Sequence, residues 1–201
     1  MDRKIVLFNG APRSGKDSAA RALTNSPSAE GWVVVERKFA AALKEAAHTL
    51  IGLGNRPEDY YEETKDQPDS DFFGKTPREF YIGLSELFLK PFTKQADVFG
   101  QIAVRKLEAF EHKFAEQLKD NNVLFAYSDS GFALEAYNLL QVVGKENVFL
   151  VRCHRKGFSF KDTKDSRSYI ELPCTSVDLY NDGTLEEWEA KVRNKVWEWV
   201  G

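Results

Sequence analysis

Residues 10–18 read GAPRSGKDS, in which Gly10, Gly15 and Lys16 fit the pattern G-x-x-x-x-G-K. Two glycines and a lysine at this spacing suit the binding of phosphate. Glycine lets the backbone wrap closely around phosphate oxygens with its amides pointing inward. The lysine supplies a mobile cation for the outer phosphates. Ile5, Val6, Leu7 and Phe8 lead into the turn as a buried-type strand, and an alanine-rich helical stretch leaves it. That order brings the positive end of a helix dipole to the same point.

Asp17 departs from the pattern, standing where Ser or Thr usually follows the lysine, with Ser18 behind it. A hydroxyl there holds Mg²⁺, and a carboxylate can do the same with more charge. Without metal, Asp17 would repel phosphate, so a site that works as a metal complex is expected. The competing reading is an acidic first-turn residue that complements the helix dipole. Asp129 ends another apolar run, VLFAY at 123–127, a position where phosphate-loop proteins place an acid that orients Mg²⁺. Asp is also a common turn residue.

Cations fall in two further places. Arg78 sits in the first turn of a helix begun by Thr76-Pro77-Arg78-Glu79, where the dipole disfavours a cation. Either an anion is expected there or a surface salt bridge. The segment RCHRKGFSFKDTKDSR at 152–167 carries Arg152, Arg155, Lys156, Lys161, Lys164 and Arg167, directly after a fourth apolar strand at 148–151. Such a segment can close over transferring phosphates, or be a solvated basic loop. Cys153 and His154 are adjacent, but nothing else suggests a nucleophile or zinc.

The elements that position these groups alternate. Strands are expected at 5–8, 32–36, 123–127, 148–151 and 176–180. Helices are expected from Lys16 until Asn25-Ser26-Pro27-Ser28 breaks the pattern, at 39–53, from Thr76 to about Lys90 with Pro91 as the stop, at 97–119, at 132–143, and after Thr184 with Glu187 as capping partner. Leu185, Trp188, Val192, Val196 and Trp199 line one face of the last helix as core. His48, alone on its helix, reads as a packed or solvated side chain. Residues 55–75 lack periodicity. They form a long acidic loop in which Lys65, Tyr60, Tyr61, Phe72 and Phe73 suit a substrate cover or an interface.

A chain of 201 residues with 42% apolar and 29% charged residues suits one α/β domain with small inserts. No composition shift marks a second one. A net charge of −3 argues against holding polymeric nucleic acid by bulk charge. Two cysteines give no disulfide framework. With no apolar run of membrane-spanning length and no signal sequence, a soluble, cytoplasmic protein is expected.

With these motifs placed, the chain resembles the bacteriophage-type deoxynucleoside monophosphate kinases, in the adenylate-kinase-like branch of P-loop kinases. The resemblance rests on GAPRSGKDS at 10–18, FAAALK at 39–44 and KTPRE at 75–79. It implies a three-layer fold, a five-stranded parallel sheet of order 2-3-1-4-5 flanked by helices, in a single domain. A monophosphate-binding insert at about 38–120 and a basic lid at about 152–172 would project from it. It further implies ATP and Mg²⁺ as cofactors and a deoxynucleoside monophosphate as substrate, in the host cytoplasm if the chain is phage-encoded. Gly10, Ala11, Arg13, Ser14, Gly15, Lys16 and Ser18 would hold the donor phosphates, and Asp17 and Asp129 the metal. Lys38, Lys65, Arg78, Glu86 and Asp129 would serve the acceptor. Arg155 and Arg167 would come down as lid cations, and Asn181 and Gly183 would lie near the adenine. The family often carries Asp-x-Arg-Phe after strand three, whereas Asp129-Ser130-Gly131-Phe132 has no arginine. Altered substrate choice or lost activity would follow. The alternatives are kinases of another small phosphorylated metabolite or of a hydroxymethylated DNA base, and an inactive nucleotide-binding protein. Homodimerisation is left open.

Overall fold

A computed structural model describes residues 2–25, 31–162 and 167–201, so Ser26-Pro27-Ser28 and Lys164 lie outside the described residues. The chain divides into two compact units, residues 1–39 with 100–201, and residues 40–99.

The larger unit is built on strands β1 (Arg3–Gly10), β2 (Trp32–Arg37), β3 (Asn122–Tyr127), β4 (Val148–His154) and β5 (Thr175–Tyr180). They form one sheet in the order β2-β3-β1-β4-β5, all neighbours parallel. Parallel neighbours need crossover connections: α1 (Lys16–Thr24) lies in the one from β1 to β2, most of α5 (Val98–Lys113) in the one from β2 to β3, and α6 (Ala133–Val143) in the one from β3 to β4, while α7 (Leu185–Val200) follows β5. Alternation along β1 sorts its side chains between two layers. Ile5 and Leu7 pack with Ala103, Leu107, Ala136, Leu139 and Leu140. Val6 and Phe8 pack with Ala19, Leu23, Trp188, Val192 and Val196. Each fully buried Leu or Ile here contributes about 1.5–3 kcal/mol. Register aligns the carboxyl ends, pairing Leu7 with Tyr127 and Gly10 with Cys153. In open parallel sheets that edge is where ligands bind. The order 2-3-1-4-5 expected from the resemblance is the order observed.

The smaller unit carries α2 (Ala41–Leu50), α3 (Pro77–Ile82) and α4 (Lys90–Thr93). Its core is Ala47, Tyr61, Phe72 and Tyr81. Tyr61 and Phe72 are therefore packing residues rather than a substrate cover, while Tyr60 and Phe73 are exposed. His48 is fully buried among these rings, its Nδ1 3.3 Å from the Arg56 carbonyl and its Nε2 2.7 Å from the Tyr81 hydroxyl. The packed reading of this histidine holds.

Several expected boundaries shift. The capping box at Thr76 and Glu79 forms, but Pro91 does not stop the helix. Gly83–Leu89 runs as π-helix, with the Lys90 amide reaching back five residues to Ser85. Pro91 then falls among the first residues of α4. The chain turns at Lys94, with φ 56°. Helix α2 ends at Leu50 rather than 53, and α5 at Lys113 rather than 119. On α7, Trp188, Val192 and Val196 are core as expected, but Leu185 is exposed. Among the described residues no helix is long and apolar enough to cross a membrane.

Candidate functional site

The loop from Gly10 to Lys16 leaves the carboxyl end of the central strand β1 and opens α1. Close packing shapes it. A Cβ on Gly10 would lie 2.4 Å from the Cys153 carbonyl oxygen and 2.6 Å from Ser14 Oγ. Gly15 has φ 99°, and a Cβ there would meet Asn181 Nδ2 at 2.4 Å and Trp188 Nε1 at 2.9 Å. Those two donors hold the loop from the β5–α7 side. Asn181 donates to the Ser14 carbonyl at 3.1 Å, and the Trp188 indole to that of Gly15 at 3.0 Å. No side chain caps the start of α1, so its first amides face the loop without a side-chain acceptor. Lys16 turns back over the loop, donating to the carbonyls of Gly10 and Ala11 at 2.8 Å each. Burial holds its ammonium below the ordinary lysine value; Cys153 and Asp17 oppose this, Arg167 adds to it, and Asp129 opposes it.

The acidic groups stand beside this lysine. Asp17 is exposed in the first turn of α1, and its Oδ1 accepts from the Ser128 hydroxyl at 3.0 Å. Asp129 follows on the same β3 end, its Oδ1 accepting the Phe39 amide at 2.8 Å. Lys38 is half-buried just beyond β2. Ser18 donates to the Gly15 carbonyl at 3.0 Å, a local helix bond.

The cations after β4 divide. Arg155, exposed, donates to the Arg13 carbonyl at 3.1 Å, and Arg13 itself is exposed with φ 63°. Arg152 instead holds Asp178 through two hydrogen bonds, 3.0 and 2.8 Å. Together with His154, 2.6 Å from the same carboxylate, it pulls the Asp178 pKa down to about 2. Burial pushes the Cys153 thiol up to about 12, so it stays protonated and no Cys/His nucleophile forms. The Asn181 amide bonds the His154 carbonyl, and Asp182 accepts the Lys156 amide, joining the Asn181–Gly183 turn to this segment.

The remaining candidates belong to the smaller unit, each paired locally. Arg78 binds Asp66 at 2.6 Å, the salt-bridge alternative, with the pair 33% and 65% exposed. Lys65 pairs with Glu62, and Glu86 with Lys90 at 2.8 Å. Although burial opposes it, the ammoniums of Lys65 and Lys44 lower the Glu62 pKa to about 2. A groove of about 470 Å³ on this unit is walled by Lys75, Glu79, Phe80, Gly83 and Leu84.

The larger unit thus gathers the loop, Asp17, Asp129, Arg155, Arg167 and Asn181. Sequence reasoning missed Ser128, Asn9 and the Trp188 indole. Ser128 had one signal, its place beside Asp129. Trp188 read only as core. The residues fit a polyphosphate, because Ser14 Oγ is buried without a partner and the start of α1 is uncapped. Among the described residues no group of three or more His, Cys, Asp or Glu forms a metal cage. Two carboxylates beside such a loop, Asp17 and Asp129, would suit Mg²⁺, an ion commonly held by one or two carboxylates.

A scan against protein-family profiles finds no match. A protein of Acanthamoeba polyphaga mimivirus named "Putative deoxynucleotide monophosphate kinase" is 26% identical over 198 residues, covering 94% of this chain and 93% of its own. An unliganded crystal structure of a sugar kinase from a Janibacter species aligns at TM-score 0.44 and 12% identity, over 98% of this chain and 94% of that one. The fold described above rests on this chain's own strand order and register.

Proposed function

We propose that the chain is a kinase that transfers a phosphoryl group from Mg·ATP to a deoxynucleoside 5′-monophosphate, giving the diphosphate. The observation that carries this reading is Lys16, turned in over a glycine loop at the carboxyl end of the central strand, with Asp17 and Asp129 beside it. The near full-length likeness to the mimivirus protein supports the monophosphate as acceptor.

In this reading Lys16 releases the Gly10 and Ala11 carbonyls and neutralises the outer phosphates. The loop amides and Arg13 hold the rest of the tail. Bound Mg·ATP supplies the transferable group and a divalent charge, with Asp17 and Asp129 as the protein's metal-side carboxylates. Arg155 and Arg167 face the charge that develops during transfer. Arg78 exchanges Asp66 for the acceptor phosphate. That exchange is inexpensive because so exposed a pair is worth at most about 1 kcal/mol. Lys38, Lys65 and Glu86 complete the acceptor contacts, and Asn181 and Gly183 border the donor base. An anionic acceptor needs no strong base, so the protein's work is alignment and charge.

The test is a panel of common and modified nucleoside and deoxynucleoside monophosphates incubated with Mg·ATP. Diphosphate from at least one deoxynucleotide is expected. Formation from none overturns the reading, and ATP binding without turnover would mark an inactive binder.

A further inference from the structure

Asn9 is the last side chain before the phosphate loop and is fully buried, yet it takes no part in the chemistry described above. Its amide nitrogen donates to the Ser130 carbonyl at 2.7 Å and to the Ser168 carbonyl at 3.0 Å. Its oxygen accepts the Ile170 amide at 3.1 Å. One side chain therefore ties together β1, the turn after β3, and the segment that follows Arg167. A buried amide satisfied on both ends by three backbone groups from distant segments is a rigid clamp.

Gly131 is the second half of the arrangement. It is buried, and a Cβ there would lie 2.6 Å from Cδ and 2.8 Å from Cγ of Arg167. The stem of Arg167 thus rests on bare backbone next to residues that Asn9 holds. Unlike Gly15, Gly131 has no positive φ, so its backbone would accept an alanine without strain. Its lack of a side chain is explained by the arginine lying against it. The Arg167 charge reaches Lys16 and opposes its protonation.

We propose that Arg167 is a built-in cation of the phosphate site, seated on Gly131 and clamped through Asn9, so that it stands in place before any segment closes. Asn9 and Gly131 are its positioning residues. The inference rests on the phosphoryl-transfer reading for its consequence and on the clamp geometry for its substance.

A double-mutant cycle tests it on the full chain. Arg167→Ala should lower kcat about 10³-fold, the scale of a lost arginine on a transferring phosphoryl group, with a much smaller change in KM for ATP. Gly131→Ala should lower kcat at least tenfold with an unchanged melting temperature, since only the Arg167 stem is displaced. In the Arg167→Ala background, Gly131→Ala should change kcat less than twofold. Full activity in Gly131→Ala, or losses that multiply in the double variant, overturns the proposal. If the parent phosphorylates no monophosphate, the functional reading fails by itself. The same cycle is then read as sodium tripolyphosphate affinity by calorimetry. Weakening by each single variant, with the double no weaker than Arg167→Ala, upholds the seat. Unchanged or multiplying affinities overturn it.

Discussion

Gly15→Ala tests how the loop at 10–16 is held. The residue sits at φ 99°, and its new Cβ would meet Asn181 Nδ2 at 2.4 Å and Trp188 Nε1 at 2.9 Å. The backbone strain costs about 1–2 kcal/mol for a residue with a Cβ. Pushing away both donors breaks the bonds to the Ser14 and Gly15 carbonyls, about 1 kcal/mol each. The sum is about 3–4 kcal/mol, which for a chain of this size lowers the melting temperature by about 6–16 °C. Gly31→Ala is the control. Gly31 has φ 83° but nothing among the described residues within 4 Å of its Cβ position, so it carries strain alone, about 2–8 °C. Calorimetric melting of parent and both variants gives the comparison. ATP titration should also show weakened binding only for Gly15→Ala. If Gly15→Ala melts no lower than Gly31→Ala, the Asn181 and Trp188 bonds do not support the loop and the argument fails.

Three further outcomes follow from particular contacts. Asp17→Ala should raise the Mg²⁺ needed for half-maximal ATP binding at least tenfold. Ser128→Ala, losing one hydrogen bond of about 1 kcal/mol, should raise it about fivefold, measured by Mg²⁺ titration; an unchanged requirement in Asp17→Ala removes the carboxylate from the metal site. The Asp178 carboxyl, held by the Arg152 guanidinium and His154, titrates near 2 in the folded chain, below its ordinary 3.8. Its contribution is therefore complete above about pH 4 and lost as pH falls toward 2. Urea melts across that window should show a shallower acid loss in Asp178→Asn; an identical slope would contradict the pairing. Tyr81→Phe leaves His48 Nε2 buried without its 2.7 Å partner and should cost about 1–3 kcal/mol by denaturant titration, whereas a neutral result would mean the pair is not formed.

Both capping boxes, at Thr76 with Glu79 and at Thr184 with Glu187, form where the sequence places them, because each closes within four residues. Strands β1, β3 and β4 were legible for a similar reason. Continuous apolar runs such as Ile5–Phe8 and Val123–Tyr127 can only be satisfied by burial on both faces, which a parallel sheet between helices provides. The loop at 10–16 was visible because its spacing of Gly10, Gly15 and Lys16 is a local pattern, although the Cys153 carbonyl that leaves no room for a Cβ on Gly10 is distant in sequence.

What the tertiary structure decided lies between residues far apart in the chain. Nothing near Asp17 announces that Ser128, 111 positions away, donates to it. Nothing near Gly131 announces the Arg167 stem, and Asn9 reads as an ordinary strand end until three distant backbone groups converge on it. Tyr61 and Phe72 looked like surface aromatics in an acidic loop, and only the packing of residues 40–99 made them core. Arg78 could have met an anion or a carboxylate, and the fold of its own unit chose Asp66. Short-range backbone preference and the demand to bury apolar runs act on neighbours, so they are written in the order of residues. The partners of polar side chains depend on which distant segments the sheet brings to one edge, and that is settled only when the chain has closed.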